Sequence, residues 1–282
     1  MEVCSREDGV NMSKRFLLVV NSSKSTCVEF SKKISEYIIS GGNSVDVFTD
    51  EIKVVSDADF AIVLGGDGTV IDTAAAVYSF DIPIACVNFG TLGYLSCCEP
   101  SDAFVLIDKL LSGDYQLENR TTIEGEVLRN GECIYNFMSV NDVSIHRGIV
   151  NSSLNFELMI NDEVIDDFWS DGMLVSTPTG STAYNLSAGG PVIAPGSNCM
   201  VVTQICAHSL NDCPIVISDN DTVSIRILND ASIPVLVSDH GSPIELKKED
   251  LIFVRKGKKN INTIKINDGN FYSVLRRKIS NR

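Results

Sequence analysis

Positive charge and histidine are scarce in this sequence, and each shortage excludes a class of function. Lys and Arg number 23 against 37 Asp and Glu, which gives a formal net charge of −14 at pH 7. Nucleic acid binding needs clustered cations that neutralise phosphates, so no nucleic acid partner is expected. With only three histidines and no His-Glu-x-x-His motif, no zinc site is expected either.

Paired cysteines and long apolar runs are also missing. The nine cysteines form no Cys-x-x-Cys pair, which favours reduced thiols, most of them filling the core. No apolar run approaches the roughly 20 residues of a membrane span, so no membrane partner is expected. Residues 1–11 are polar, lack the apolar core of a signal peptide, and are expected to precede an ordered chain that begins near Met12. These features predict a cytoplasmic protein.

The first third of the chain alternates between apolar runs and segments with helical spacing. The runs predict buried strands (residues 16–20, 45–48, 60–64 and 82–87), and helices are predicted over residues 25–40 and 70–78. Strands that alternate with helices imply right-handed crossovers and a parallel sheet. We therefore expect a Rossmann-like α/β domain over residues 12–116.

After about residue 117 the pattern changes to short strands joined by turns. Asn-Gly at 130–131 and Asn-Asp at 161–162 each separate two apolar runs, as in β-hairpins. This pattern predicts an antiparallel β-sandwich over residues 117–257. A helix is predicted over residues 271–279, with its apolar positions facing a core, and segment 258–282 is expected to pack back on the α/β domain. The basic residues at 255–259 and 276–278 are interpreted as solvated surface.

A glycine-rich loop, Gly-Gly-Asp-Gly-Thr at residues 65–69, follows the third predicted strand. Gly65 and Gly66 are expected to take positive φ and to let a phosphate approach the backbone at a helix N-terminus. A carboxylate repels phosphate, so Asp67 is unusual there unless it takes a proton from a substrate hydroxyl or holds a metal ion. The alternative is that Asp67 caps the helix. Neither the P-loop motif nor Gly-x-Gly-x-x-Gly is present.

A second loop lies within residues 171–191, where an apolar strand leads into a segment rich in hydroxyls and small residues. A helix that begins near Ser181 would offer free N–H groups to an anionic or polyhydroxylated ligand. The alternative is an ordinary strand–turn–helix with hydroxyls as N-caps.

Taken together, these segments resemble the NAD kinase family. The resemblance rests on residues 65–69, Asn-Phe-Gly-Thr-Leu-Gly-Tyr-Leu at 88–95, Asn-Asp at 141–142, residues 171–191, Asp239 and the terminal helix. It spans roughly residues 16–279. The glycine motif alone is shared with diacylglycerol and sphingosine lipid kinases, and loosely with phosphofructokinases, whereas residues 171–191 are much more specific to NAD kinases.

The resemblance implies transfer of a phosphoryl group from ATP, or polyphosphate in some members, to the 2′-hydroxyl of the adenosine ribose of NAD. The product is NADP. Mg²⁺ would neutralise the donor phosphates and would bind mainly through them, with no metal site built by the protein. The resemblance also implies a homodimer or homotetramer.

The resemblance also assigns roles to individual residues. Asp67 would act as the base, Gly68 would bring backbone close to the dinucleotide, and Tyr94 would stack on or wall the adenine pocket. Asp171 would reach the nicotinamide end, in the site of its own subunit or of a neighbouring one. The other dinucleotide-binding residues implied are Asn141, Asp142, Thr182, Ala183, Tyr184, Asn185, Ser187 and Asp239.

Three positions depart from the family pattern, and several assignments have alternatives. Asp72 and Trp169 stand where basic residues are common, and Gly241 replaces a side chain, so phosphate contacts and donor choice are open. Residues 141–142 suit a turn, Tyr184 suits a core and Asp171 suits a cap. Two rival functions are a lipid kinase, which should carry an apolar cleft or basic membrane surface, and a dinucleotide sensor without turnover.

Overall fold

The computed structural model describes residues 13–49, 52, 57–148, 152–208, 213–229, 233–239, 241–266 and 271–280. The expected start near Met12 lies outside this part of the chain. The strands are β1 (Arg15–Val20), β2 (Ser44–Phe48), β3 (Phe60–Gly65), β4 (Ile84–Asn88), β5 (Gln116–Arg120), β6 (Ile123–Arg129), β7 (Glu132–Ser139), β8 (Asp142–His146), β9 (Leu154–Ile160), β10 (Glu163–Ser170), β11 (Gly172–Ser176), β12 (Cys199–Ile205), β13 (Ile215–Ser218), β14 (Val223–Ile227), β15 (Val235–Ser238), β16 (Ile244–Glu245), β17 (Leu251–Lys256) and β18 (Ile261–Lys265). The α-helices are α1 (Ser25–Ser40), α2 (Asp67–Val77), α3 (Ala103–Ser112), α4 (Tyr184–Ser187) and α5 (Phe271–Ser280).

The first sheet has the strand order β2-β1-β3-β4-β18-β5 and is parallel except for β5. Strands β1, β3 and β4 are buried on both faces, which explains their continuous apolar runs. Phe16 and Leu18 point into a core with α1 and α3, whereas Leu17 and Val19 point into a core with α2. The predicted Rossmann-like arrangement is therefore confirmed.

Two antiparallel sheets form the predicted sandwich. One has the order β10-β9-β14-β17-β6-β7 and the other β13-β12-β11-β8-β15-β16. Alternate residues of both sheets meet in one apolar core, with Val127 and Phe156 from the first sheet and Met173 and Met200 from the second. The two predicted hairpin turns are present, and Asn130 and Asn161 take positive φ there.

Strand β18 brings the chain back to the α/β sheet after the sandwich, and there it pairs with β5, which precedes the sandwich. The sequence interpretation missed both strands, although β18 lies within the segment 258–282 that was expected to pack back on the α/β domain. Helix α5 does contact the loop after β4, through a ring contact between Phe271 and Tyr94 at 5.7 Å. However, none of its residues is buried, so the expected packing of its apolar side into a core is wrong.

All eight cysteines of the described chain are free thiols, but only Cys27, Cys86 and Cys98 are buried. Cys133, Cys206 and Cys213 are exposed, so the expectation that most cysteines fill the core is wrong. Among the described helices, none is long and apolar enough to cross a membrane.

Candidate active site

The glycine loop lies at the carboxyl end of β3, the edge where ligands bind in parallel α/β sheets. The expected positive φ is wrong for both glycines, since Gly66 has φ −136° and Gly65 is not in the positive region. Close packing is what requires Gly65, because a Cβ there would stand 2.6 Å from the Thr69 hydroxyl oxygen. A Cβ on Gly66 would meet nothing within 4 Å, so that side of the loop is open to a ligand.

Asp67 is the first residue of α2, and its carboxylate reaches across to the loop after β4. Tyr94 N–H donates to Oδ2 at 2.9 Å and Leu95 N–H donates to Oδ1 at 3.1 Å. The Ncap position of α2 is Gly66, and no side chain caps the helix. The alternative that Asp67 serves as a helix cap is therefore wrong. Two backbone donors fix the orientation of this carboxylate.

Arg120, at the end of β5, lies behind this loop and was missed in the sequence. Its side chain is only 3% exposed, and it donates hydrogen bonds to Glu118 and to the Tyr94 carbonyl oxygen, the latter at 3.3 Å. Burial lowers the pKa of Arg120, while the charges of Glu118 and Asp67 oppose that shift. The polar run that forms β5 gave no strand signal, so nothing in the pattern placed a cation near Asp67.

Asp239 holds the backbone of residues 140–142 in place. Its carboxylate accepts N–H bonds from Val140 at 2.7 Å, Asn141 at 3.1 Å and Asp142 at 3.2 Å. Asp239 itself takes φ +37° to do so. The structure therefore brings Asp239 together with Asn141 and Asp142.

Asp142 is a buried carboxylate, 8% exposed, and among the described residues no hydrogen-bond donor reaches its oxygens. Burial, with a contribution from Asp239, raises its pKa to about 7. Tyr184 lies nearby: burial, followed by the Cys206 and Asp142 charges, raises its pKa. The Tyr184 ring also contacts His146 at 5.5 Å, and burial lowers the pKa of His146. Tyr184 is 37% exposed, so the alternative that it is a core residue is wrong.

Most polar groups of the second loop form hydrogen bonds with other protein groups. Ser181 Oγ donates to Pro178 O at 2.6 Å, and Asn185, fully buried, bonds Ser181 O, Pro191 O and Thr203 Oγ1. The expected helix near Ser181 is a 3₁₀ turn followed by the four-residue α4. Thr177 accepts the N–H groups of Gly180 and Ser181, so the expected set of free N–H groups at that point is wrong.

A cleft of about 930 Å³ lies between the loop after β4 and the second loop. Tyr94 and Thr182 line it from opposite sides, and α5 borders it with Arg276, Arg277 and Lys278. Lys278 Nζ lies 4.3 Å from the centroid of the Tyr94 ring. Because Tyr94 also donates to Asp67, this cleft opens beside the carboxylate of the glycine loop.

Asp171 lies away from Asp142. It precedes β11, whose other end, Ser176, pairs with Asp142. Five residues of extended chain separate the two ends, about 17 Å. Asp171 forms an ion pair with Arg147 at 3.1 Å. Of the other predicted residues, Gly68 lies in the first turn of α2, Ala183 precedes α4 and Ser187 ends it.

The three positions that depart from the family pattern are separate from that cleft. Asp72 and Gly241 line a smaller cleft of about 430 Å³ together with Asp239. Trp169 lies on β10 and is 48% exposed. Among the described residues, no group of three or more His, Cys, Asp or Glu side chains is placed to hold a metal ion.

Family models match both halves of the chain. The ATP-NAD kinase N-terminal domain matches residues 11–115, and the ATP-NAD kinase C-terminal domain matches residues 140–266. An NAD kinase of Caldanaerobacter subterraneus subsp. tengcongensis is 31% identical over 284 residues, covering 95% of this chain and 100% of the relative. An NAD kinase of Syntrophotalea carbinolica is 39% identical over 231 residues, covering 82% of this chain and 81% of the relative.

The chain belongs to the NAD kinase family. The family and an enzymatic role, both expected from the resemblance, are therefore confirmed, and a lipid kinase is excluded. Solved structures agree on the fold. Yeast NADH kinase complexed with NADH superposes with a TM-score of 0.79 at 22% identity, covering 95% of this chain and 88% of that one. An Archaeoglobus fulgidus NAD kinase in complex with ATP gives 0.77 at 20% identity, covering 94% and 98%.

Proposed function

We propose that this NAD kinase family member transfers a phosphoryl group from ATP or polyphosphate to the 2′-hydroxyl of the adenosine ribose of NAD, giving NADP. The observation that carries the proposal is the carboxylate of Asp67, fixed by the N–H groups of Leu95 and of Tyr94, a residue that lines the cleft. In this reaction Asp67 takes the proton of the 2′-hydroxyl while the new O–P bond forms. The bond to the leaving phosphate breaks, and its electron pair stays on the donor.

A positioned base suits this chemistry because a ribose hydroxyl is a weak nucleophile at neutral pH. Each oxygen of Asp67 accepts one N–H bond, so lone pairs remain for a substrate proton. The open side of Gly66 and the adjacent Gly68 let the dinucleotide approach the backbone. Phosphoryl transfer needs little beyond this except alignment and charge neutralisation.

The adenosine half of NAD would occupy the space between the two loops. Tyr94 would form one wall and Thr182 with Ala183 the other, with Tyr184 and Ser187 at the rim. Asn141 and Asp142 would bind the adenine or ribose. Asn185 and Asp239 have their side chains bonded to protein groups, so they would shape the pocket by holding the second loop and residues 140–142.

Mg²⁺ would enter with the donor, whose phosphate oxygens are the hard ligands it prefers, and would supply charge neutralisation. The similar A. fulgidus protein was solved in complex with ATP and the yeast protein in complex with NADH, which supports the choice of substrates here. We further propose that the protein is a cytoplasmic homodimer or homotetramer. Each protomer would consist of an α/β domain (residues 12–116), a β-sandwich domain (117–257) and a C-terminal segment (258–282). The distance of Asp171 from Asp142 supports a role for Asp171 in a neighbouring subunit's site, and a monomer in solution scattering would contradict it.

The test is NADP formation with NAD, Mg²⁺ and ATP, comparing the native protein with Asp67→Asn. We expect the variant to lose about 10² in kcat or more while it still binds NAD. Asp72→Asn is the matched control, since it removes an exposed carboxylate from the same helix. If the native protein and Asp67→Asn both bind NAD, and neither makes NADP with ATP or polyphosphate, the proposed reaction is refuted. Equal turnover by both would refute the base assignment.

A further inference from the structure

Three consecutive cations of α5, Arg276, Arg277 and Lys278, border the cleft beside the proposed base. One face of α5 packs against the protein and holds the helix there. The half-buried residues of this face recur at helical spacing and are Phe271, Val274, Leu275 and Lys278. Phe271 and Lys278 both contact the ring of Tyr94, and the backbone N–H of Tyr94 donates to Asp67. The basic end of α5 is therefore held next to the reacting region, not on a remote surface, and the interpretation of residues 276–278 as plain solvated surface is incomplete.

These cations differ from many basic side chains of the described chain, because they lack an acidic partner there. Many basic side chains elsewhere form ion pairs, including Arg129 with Asp250 at 2.7 Å. Within the described chain, no carboxylate lies within ion-pair distance of Arg276, Arg277 or Lys278, although the protein carries a net charge of −14. Three adjacent unpaired cations at one cleft create a local positive potential in an acidic protein.

We propose that Arg276 and Arg277 form a binding site for the phosphate chain of a substrate, while Lys278 holds the helix against Tyr94. The ligand class is a di- or triphosphate chain, which two guanidinium groups recognise through bidentate hydrogen bonds. The inference rests on the proposed function for the source of that chain, the phosphate donor.

Two measurements on the variant Arg276→Gln/Arg277→Gln test the site. The first is steady-state kinetics with separate KM values for ATP and NAD. The second is calorimetric titration of inorganic tripolyphosphate at low salt, which needs no turnover. The matched control is Lys32→Gln/Lys33→Gln, which removes the same charge from the exposed side of α1. Arg276→Lys/Arg277→Lys keeps the charge, and thermal unfolding of every variant checks that α5 and the fold persist.

We expect the Gln variant to raise the KM for ATP at least tenfold and to weaken tripolyphosphate binding by a similar factor, with little change in the control. The Lys variant should recover part of the loss. A rise in the KM for NAD instead would keep the phosphate site and assign it to the pyrophosphate of the dinucleotide. If both KM values and tripolyphosphate binding match those of the control, the cations serve only the C-terminal dipole of α5, and the proposal is overturned.

The outcome is separable from that of the proposed function. A native protein that makes no NADP, yet binds tripolyphosphate more tightly than the Gln variant does, would refute the kinase reaction and keep the cation site. If the native protein makes NADP and the Gln variant has the same kinetics, the kinase reaction is kept and the cation site is refuted.

Discussion

Gly93 lies so close to Asp67 that a Cβ built on this glycine would stand 2.0 Å from Asp67 Oδ1 and 2.6 Å from Asp67 Cγ. The same approach lets the carboxylate accept the N–H groups of Tyr94 and Leu95. The glycine after β4 and the aspartate after β3 thus form one unit, built by two adjacent parallel strands.

Gly93→Ala should abolish activity with a smaller effect on stability. The added methyl group must displace the Asp67 carboxylate, because the backbone fixes the positions of Gly93 and Asp67. We expect kcat for NADP formation to fall by about 10² or more, as for loss of the base itself. Urea unfolding should show a loss of only about 1–3 kcal/mol, typical of local overpacking. The control is Gly90→Ala in the same loop, where a Cβ would meet only the end of the Lys24 side chain at 3.0 Å. Normal kcat in Gly93→Ala would contradict the proposed position of the base.

Asp239→Ala should destabilise the protein through the backbone it holds. The substitution leaves the N–H groups of Val140, Asn141 and Asp142 without their acceptor. Val140 and Asp142 are buried, and each buried donor left unpaired costs about 1–3 kcal/mol, so we expect a total loss of about 2–6 kcal/mol in urea unfolding and a raised KM for NAD. Asp167→Ala, at an exposed position on β10, is the control. A loss below about 0.5 kcal/mol would show that Asp239 is not needed for this support.

Arg120→Met should disturb the loop that contains Tyr94, because Arg120 donates to the Tyr94 carbonyl oxygen. Removing one partner of a buried ion pair typically costs about 3–5 kcal/mol, and we expect the lower end here because Lys265 also pairs with Glu118. Loss of the donor to the Tyr94 carbonyl should also raise the KM for NAD. Arg255→Met is the control: its pair with Glu126 is long, at 3.8 Å, and half-exposed, so a loss of at most about 1 kcal/mol is expected. Equal losses in the two variants would contradict a special role for Arg120.

Local sequence patterns predicted the elements whose faces are buried, and missed those whose place depends on distant partners. The apolar run that forms β3 and the Asn-Gly turn at 130–131 each contain their own signal. Strand β5 is polar, with Leu117 50% exposed, and becomes a strand only because β18, more than 140 residues later, pairs with it. The same reasoning applies to the site. Asp67 stood out as a carboxylate within a glycine loop, whereas its bond to Tyr94 and the proximity of Arg120 arise from tertiary structure that no local pattern encodes.

The stability of the protein should depend on pH through Asp142. Burial first, and Asp239 second, raise the folded-state pKa of Asp142 from 3.8 to about 7. Between these two values the folded protein binds the proton and the unfolded chain does not, so this group makes stability fall as pH rises from about 4 to 7. Asp142→Asn removes that dependence. Relative to the native protein, the variant should therefore gain stability progressively across this window, by up to about 4 kcal/mol at pH 8.

Urea unfolding of both proteins at pH 4, 5.5, 7 and 8 measures this difference, with Asp166→Asn, at an exposed position on β10, as the control. A difference that does not change with pH would show that Asp142 keeps an ordinary acidity in the folded protein. The two causes of the shift also separate experimentally. Asp239→Ala removes the neighbouring charge and leaves the burial, so in that background the gain from Asp142→Asn should shrink but persist.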